Sequence, residues 1–246
     1  MIVQEQPLGQ KAYAKIPHLP GSRTGSSDRV APRQLARRCT HQCEPGDLVV
    51  VQEKLDGSCV AVTVKNGEVI ALGREGWRAS LSQNPGRQMF ARWVMVHAAR
   101  FSEVLREGEW LVGEWLALAH STRYRLSHEP FVVFDLFTGG TALSTARLDE
   151  RLQQRFARPF LLHQGGAIEV SVIDQRLGEL GHHGAVDRAE GAMWRIERGG
   201  VVMTRAKYVR PGKTDGALLP ENSGLPAVWN WTDDSVSLSP RGRGSG

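Results

Sequence analysis

Glu53-Lys54-Leu55-Asp56-Gly57-Ser58 places a lysine where one β-rich run ends and the next begins. A tight turn at a sheet edge leaves an amine within reach of a ligand. The chain uses lysine sparingly: of 31 basic residues, only Lys11, Lys15, Lys54, Lys65, Lys207 and Lys213 are lysine. A genome that favours arginine codons accounts for the bias. Even so, a retained lysine points to work that a guanidinium cannot do, because arginine is never deprotonated in proteins whereas a lysine amine can act as a nucleophile.

Lys213-Thr214-Asp215-Gly216 repeats the Lys-x-Asp-Gly pattern, so the tetrapeptide alone is a modest signal. Context separates the two copies. The first lies between β runs and has most of the chain after it to supply partner groups, whereas the second follows Pro211-Gly212 and precedes a short tail. Nor is Gly212-Lys213-Thr214 a phosphate-binding P-loop, since position 207 carries lysine where that motif needs glycine.

A series of candidate groups follows the first copy in order: Arg74 in ALGREG, Glu114 in LVGEWL, Phe134 in FVVFDLF, Glu190 in EGAMW, and Arg205 with Lys207 in TRAKYVR. With KIPHLPGS upstream, this order resembles the covalent nucleotidyltransferase superfamily of polynucleotide ligases and capping enzymes. Within it the chain looks most like the ATP-dependent RNA ligases of the RNA ligase 2 type, over about residues 10–215. The resemblance implies an α+β fold: an adenylyltransferase domain (nucleotidyltransferase, ATP-grasp-like) of antiparallel sheets flanked by helices.

It also implies roles. Lys54 would attack the α-phosphate of ATP to give a lysyl–AMP phosphoramidate and pyrophosphate. Glu53 and Phe134 would hold the adenine, and Arg74 and Glu114 the ribose and neighbouring phosphate. Glu190 would hold Mg²⁺ or Mn²⁺, and Lys207 would contact the α-phosphate with Arg205 beside it. The family's last strand commonly carries two lysines flanking one residue; here it reads Arg205-Ala206-Lys207.

The same set makes physical sense on its own. A lysine with a solution pKa near 10.4 is protonated at pH 7 and cannot attack. Desolvation at the sheet edge, with Lys207 or Mg²⁺ nearby, is expected to lower that pKa. Glu114 sits inside the apolar run Leu111–Leu116, where an unpartnered carboxylate would be costly, so it needs a partner or a ligand. Phe134 also fits an ordinary core aromatic, and Glu190 a solvated strand start.

The elements that must position these groups follow from periodicity. Strand-like runs cover 48–53, 58–64 and 67–73, separated by Asp-Gly and Asn-Gly hairpin signals. Residues 84–108 show helical spacing over about five turns. Two further strands, 109–116 and 130–137, flank a polar loop, and helices are expected at 31–39, 145–157 and 170–180. The runs 189–197 and 200–210 read as an antiparallel pair joined at Gly199-Gly200. Residues 1–215 form the expected catalytic domain with an irregular segment 1–47, and 216–246 a short polar tail, partly disordered.

Composition sets the class. With 41% hydrophobic and 23% charged residues, the 246-residue chain is an ordinary globular protein. No apolar run approaches the ~18–20 residues that span a bilayer, and the N-terminus lacks a signal-peptide pattern, so a cytoplasmic location without membrane contact is expected. Three cysteines give no disulfide framework. Cys39, His41 and Cys43, even with His182 and His183, fall short of a convincing zinc set. Trp229-Asn230-Trp231 reads equally as a docking strip or as part of the tail.

A net charge of +5 favours a polyanion, and Arg37, Arg38, Arg78, Arg92, Arg123 and Arg125 suit backbone contact with nucleic acid. The expected activity is RNA joining, as in RNA repair: lysine adenylylation, AMP transfer to a 5′-phosphate end, and attack by a 3′-hydroxyl. An end-healing kinase or phosphatase is a candidate partner. A DNA ligase shares the first step, as does a capping enzyme. Both classes usually append an oligonucleotide-binding barrel, for which the 37 residues after Val209 are too few. Two alternatives remain: a minimal ATP-dependent DNA ligase without that barrel, and a non-catalytic RNA-end-binding protein that kept the nucleotide pocket, which would tolerate arginine at position 54.

Overall fold

The computed structural model describes residues 6–232. Its architecture is α+β, with two antiparallel sheets flanked by helices. One sheet has the order β7 (Leu161–Gly165), β1 (Leu48–Lys54), β8 (Gly191–Arg198), β9 (Val201–Val209). The other has the order β3 (Glu68–Gly73), β2 (Ser58–Lys65), β4 (Trp110–Trp115), β5 (Phe131–Thr138), β6 (Thr141–Ala142). No barrel is closed among the described residues, and no helix among them is long and apolar enough to cross a membrane.

Helices cover the outer face of each sheet. α1 (Arg33–Thr40) and α5 (Val170–Leu177) close the first, burying Cys39, Ile173 and Leu177 against Trp194. α2 (Pro85–Val96), α3 (Ala98–Val104) and α4 (Thr145–Leu152) close the second over Phe90, Trp93, Phe101, Trp115 and Phe131. These aromatic rings meet at 5–6.5 Å in tilted, edge-on and stacked pairs, a packing that adds to their burial. The N-terminal segment covers the second sheet's other face, where Tyr13 packs with Ile70, Leu72 and Trp110.

Local sequence explains most boundaries. Asn84 caps α2 by accepting the Arg87 N–H at 3.0 Å, with Pro85 at the first helical position. Asn66 and Gly67 take positive φ, 52° and 74°, and join β2 to β3 as a hairpin. Gly199-Gly200, at 61° and 82°, do the same between β8 and β9.

Other expectations are corrected. The Asp56-Gly57 turn is no hairpin: β1 and β2 belong to different sheets, and the turn crosses between them. Both edges of β1 are already taken by β7 and β8, so β2 has no edge to pair with. The expected long helix over 84–108 is broken at His97, whose φ is −102° and whose ring Nδ1 lies 2.8 Å from the Trp93 carbonyl. The helix expected over 145–157 stops at Leu152, because Gln153 and Gln154 turn to φ 45° and 61°. α5 ends at Leu177 rather than 180, at Gly178.

Of the expected tail, residues 216–231 run along the domain. Trp229 bridges to Leu118, the Asn230 amide donates to the Leu116 carbonyl at 2.8 Å, and Trp231 meets Trp115 edge-on. Residues 233–246 lie outside the described residues.

Candidate active site

The turn between the sheets opens into a cleft of about 450 Å³. Strand register assembles it. Antiparallel pairing sets Lys54 opposite Gly191, which brings Glu190 beside the lysine, and the Lys54 ammonium donates to Glu190 Oε2 at 2.7 Å. Cys59 pairs with Glu114, which places that carboxylate over the turn, where Oε1 accepts the Gly57 N–H at 3.2 Å. Gly57 is required by proximity: a Cβ there would lie 2.5 Å from the Trp115 carbonyl oxygen. Asp56 holds the other side of the turn, accepting from Ser121 N at 3.0 Å and Thr122 Oγ1 at 2.9 Å.

Lys207 enters from β9. Its backbone is clamped by the KIPHLPGS segment, with its N–H donating to the Pro17 carbonyl at 2.9 Å and its carbonyl accepting from Leu19 at 2.7 Å. Arg74 lines the cleft at the end of β3, its guanidinium donating to the Ala14 carbonyl at 2.9 Å. Phe134 is an extra residue in β5, where the register slips between Val112 and Gly113, and it also lines the cleft. A bulge of this kind re-aims a side chain out of the strand's alternation. The Phe134 ring lies 5.2 Å from that of Tyr13.

Lys54, Arg74, Glu114, Phe134, Glu190 and Lys207, remote in sequence, therefore share one cleft. Two expected residues take other positions. Glu53 borders the cleft, but its carboxylate accepts the His182 N–H at 3.0 Å and is 2% exposed. Arg205 does not reach the cleft: its guanidinium lies 2.8 Å from Asp135 Oδ1 and over the rings of Tyr13 and Phe137.

Asp135, Arg195 and Tyr13 are functional residues that the sequence does not single out. Asp135 is fully buried on β5 and takes Arg195 at 2.5 Å, Arg205 at 2.8 Å and the Tyr13 hydroxyl at 2.8 Å. Arg195 also lies 3.4 Å from Glu197. The network ties the second sheet to the first and forms the cleft's inner wall through Arg195. A charged residue on an apolar strand, Asp135 in FVVFDLF, was the available signal, because a buried carboxylate demands cationic partners. The second Lys-x-Asp-Gly also meets the site. Asp215 lines the cleft, while the Lys213 ammonium donates to Thr122 Oγ1 at 2.7 Å and lies 3.9 Å from Asp56.

The electrostatics depart from expectation in sign. Burial would depress the Lys54 ammonium, but Glu190, Glu114 and Asp56 outweigh it and hold the group above its ordinary value. Lys207 is the depressed lysine, lowered by burial and by the Lys54 charge. Burial pushes Glu114 up to about 8 and Glu190 to about 7; the neighbouring carboxylates add to this and Lys54 opposes it. The cluster thus carries more carboxylates than cations, and a proton covers the surplus.

Such a set fits a divalent ion. No ready-made cage of three or more ligating side chains exists among the described residues. Mg²⁺ usually takes only one or two carboxylates and completes its shell with water and phosphate oxygens.

The RNA ligase family profile matches residues 47–209, most of the chain, and the protein belongs to that family. Among solved structures, an RNA ligase of Naegleria gruberi with ATP and Mn is similar over 68% of this chain and 50% of its own, at 17% identity and a TM-score of 0.46. An archaeal ATP-dependent RNA ligase matches over 67% and 43%, at 22% identity and 0.47. Another Naegleria gruberi RNA ligase structure with ATP and Mn matches over 80% and 60%, at 14% identity and 0.50, a likeness of fold. The chain spans about half the length of these proteins. No curated protein matches it.

Proposed function

We propose that the protein is an ATP-dependent RNA ligase. The observation that carries this reading is the convergence of Lys54, Glu114, Glu190 and Lys207 in one cleft, with Lys54 at 2.7 Å from Glu190. Family membership supports it, as does the Naegleria gruberi RNA ligase of like fold that carries ATP and Mn.

In the first step the neutral Lys54 amine attacks the α-phosphorus of ATP. An N–P bond forms, the bond to the β-phosphate oxygen breaks, pyrophosphate leaves, and the attacking nitrogen gives up one N–H proton to solvent. Lys207 and Arg74 neutralise charge on the phosphates, and Phe134 offers its face to the adenine. A divalent cation held by Glu190 would neutralise further phosphate charge and take from Lys54 the carboxylate that now stabilises its ammonium. Glu114 fits the ribose or neighbouring phosphate. Glu53 acts through its backbone and the 178–190 loop, and Arg205 holds the strand carrying Lys207. AMP then passes to an RNA 5′-phosphate, and a 3′-hydroxyl displaces it. The ends arrive from a healing kinase or phosphatase, and the setting is RNA repair in the cytoplasm.

The test is incubation with Mg²⁺ and α-labelled ATP, in parallel with GTP, followed by denaturation. ATP label stays on the protein and is lost in Lys54→Ala; label persisting in that variant overturns the assignment. Matched RNA and DNA nicks then read out the polynucleotide.

A further inference from the structure

Three of the six arginines that suit nucleic-acid contact are held in ion pairs. Arg38 lies 3.0 Å from Asp47, Arg78 2.9 Å from Glu68, and Arg123 2.7 Å from Asp187. A different set stays open. Residues 29–43 contain no acidic side chain, and within them Arg29, Arg33 and Arg37 are exposed and make no ion pair among the described residues. Arg33 and Arg37 are one turn apart on α1, with Cβ atoms about 5–6 Å apart. With Gln34 and Gln42 they line a concave surface.

The fold connects this surface to the cleft. His18 bridges to Lys207 on one side and to Val30 on the other, with its N–H donating to the Arg29 carbonyl at 2.7 Å and its carbonyl accepting from Ala31 at 2.7 Å. Two lateral steps of about 4.8 Å put the backbone at Arg29 about 10 Å from that of Lys207. Arg23, earlier in the same segment, lines the cleft itself and donates its backbone N–H to the Val209 carbonyl at 2.8 Å. Cations therefore run from the reacting end around the β9 edge onto α1.

We infer that Arg29, Arg33 and Arg37 form a track for the sugar–phosphate backbone of the RNA whose end is being joined. This rests on the ligase reading and deepens it. Exposed guanidiniums outside any ion pair release counterions when they meet phosphates, so the contact is strong in low salt and indifferent to sequence. Arginine also binds phosphate through two parallel N–H donors, which suits a row of them. A protein partner with an acidic strip, or an anionic vesicle, would meet the same charges; both are arms of the test.

The experiment uses the full chain and a fluorescent 20-nucleotide RNA with a 5′-phosphate. Binding is measured against salt for the wild type, for the triple variant Arg29→Gln/Arg33→Gln/Arg37→Gln, and for a control at two exposed arginines outside the cleft and the track, Arg106→Gln/Arg147→Gln. The track predicts that the triple variant flattens the log–log salt slope by about 2, since each single-strand phosphate contact contributes about 0.7. Affinity should fall at least tenfold at low salt, and the control should match the wild type. Arg33→Lys/Arg37→Lys should recover most of the binding.

Lysine labelling by ATP stays intact in the triple variant, which shows that it is folded. Loss of the slope in a protein that never labels keeps the track and discards the ligase reading. An unchanged slope in the triple variant overturns the track, as does equal flattening in the control. Binding to anionic vesicles at the same salt, with RNA unaffected by the triple variant, also overturns it.

Discussion

Two buried clusters of cations and carboxylates lie between the same pair of sheets, and they are built oppositely. Around Asp135, two arginines face two carboxylates, Asp135 and Glu197, and charges balance without a proton to spare. Around Lys54, one ammonium faces Glu190 with Glu114 and Asp56 close by, and the surplus carboxylates hold protons instead. Burial raises the pKa of an acid in both places. The arginines reverse that rise at Asp135, whose carboxyl stays below its usual range, whereas one lysine does not reverse it for Glu114 and Glu190. The first cluster is a fixed clamp. On the proposed ligase reading, the second exchanges its protons for a metal ion and frees an amine, as a nucleophilic site needs.

The sharpest way to break this contrast is Lys54→Arg. The guanidinium keeps a charge beside Glu190, so the melting temperature should stay within a few degrees, but protein labelling by ATP should vanish entirely. Any label surviving in that variant would place the nucleophile elsewhere. On the clamp side, Asp135→Ala should leave Arg195 and Arg205 buried without their anion and cost about 3–5 kcal/mol in urea unfolding. A cost under 1 kcal/mol would mean that the clamp is incidental to the joining of the sheets.

The clusters also differ in their response to pH. Burial raises Glu53 to about 7, and Glu114 stands at about 8 against a usual value near 4.5. The folded protein thus keeps protons that the unfolded chain releases above about pH 4.5. Stability consequently falls as pH rises from about 5 to 8, by at most about 1.4 kcal/mol per unit for each group. Glu114→Gln, which keeps an acceptor for the Gly57 N–H, should flatten that fall in thermal melts without added metal. Asp135 contributes the opposite sign, its stabilisation disappearing only as pH drops below about 4. A melting temperature that climbs from pH 5 to 8 would contradict the proton-holding cluster.

The clusters were not equally legible in the sequence. Lys54, Glu114, Glu190 and Lys207 could be gathered because each sits in a short recognisable motif, and strand pairing then placed them together. What pattern could not supply was the sign of the Lys54 shift, since that depends on how many carboxylates the register delivers to one amine. Arg205 was misplaced for a related reason: alternation puts it on the same face as Lys207, but only the position of β5 reveals Asp135 waiting beneath it. Phe134 needed a bulge, and bulges leave no mark in residue types. The Asp-Gly turn read as a hairpin because local turn chemistry is blind to β1 having both edges occupied, whereas Asn66-Gly67 and Gly199-Gly200 join strands whose pairing is local.

Lys213 gives the smallest and most discriminating effect, because it shares the Lys-x-Asp-Gly pattern with Lys54 but sits among neutral oxygens. Its ammonium donates to Thr122 Oγ1 at 2.7 Å and to the Arg188 carbonyl at 2.8 Å, and the nearest carboxylate, Asp56, is 3.9 Å away. Those bonds pin the 118–124 loop that also holds Asp56, so the residue belongs functionally with the clamp. Lys213→Met should therefore cost about 1–2 kcal/mol of stability, the value of hydrogen bonds from one charged donor, while ATP labelling at saturating nucleotide remains. Melts and labelling on the same preparation check both halves. If labelling disappears while stability holds, the second lysine acts in the chemistry, and a Lys-x-Asp-Gly tetrapeptide would then mark a reactive amine wherever the fold brings it to this cleft.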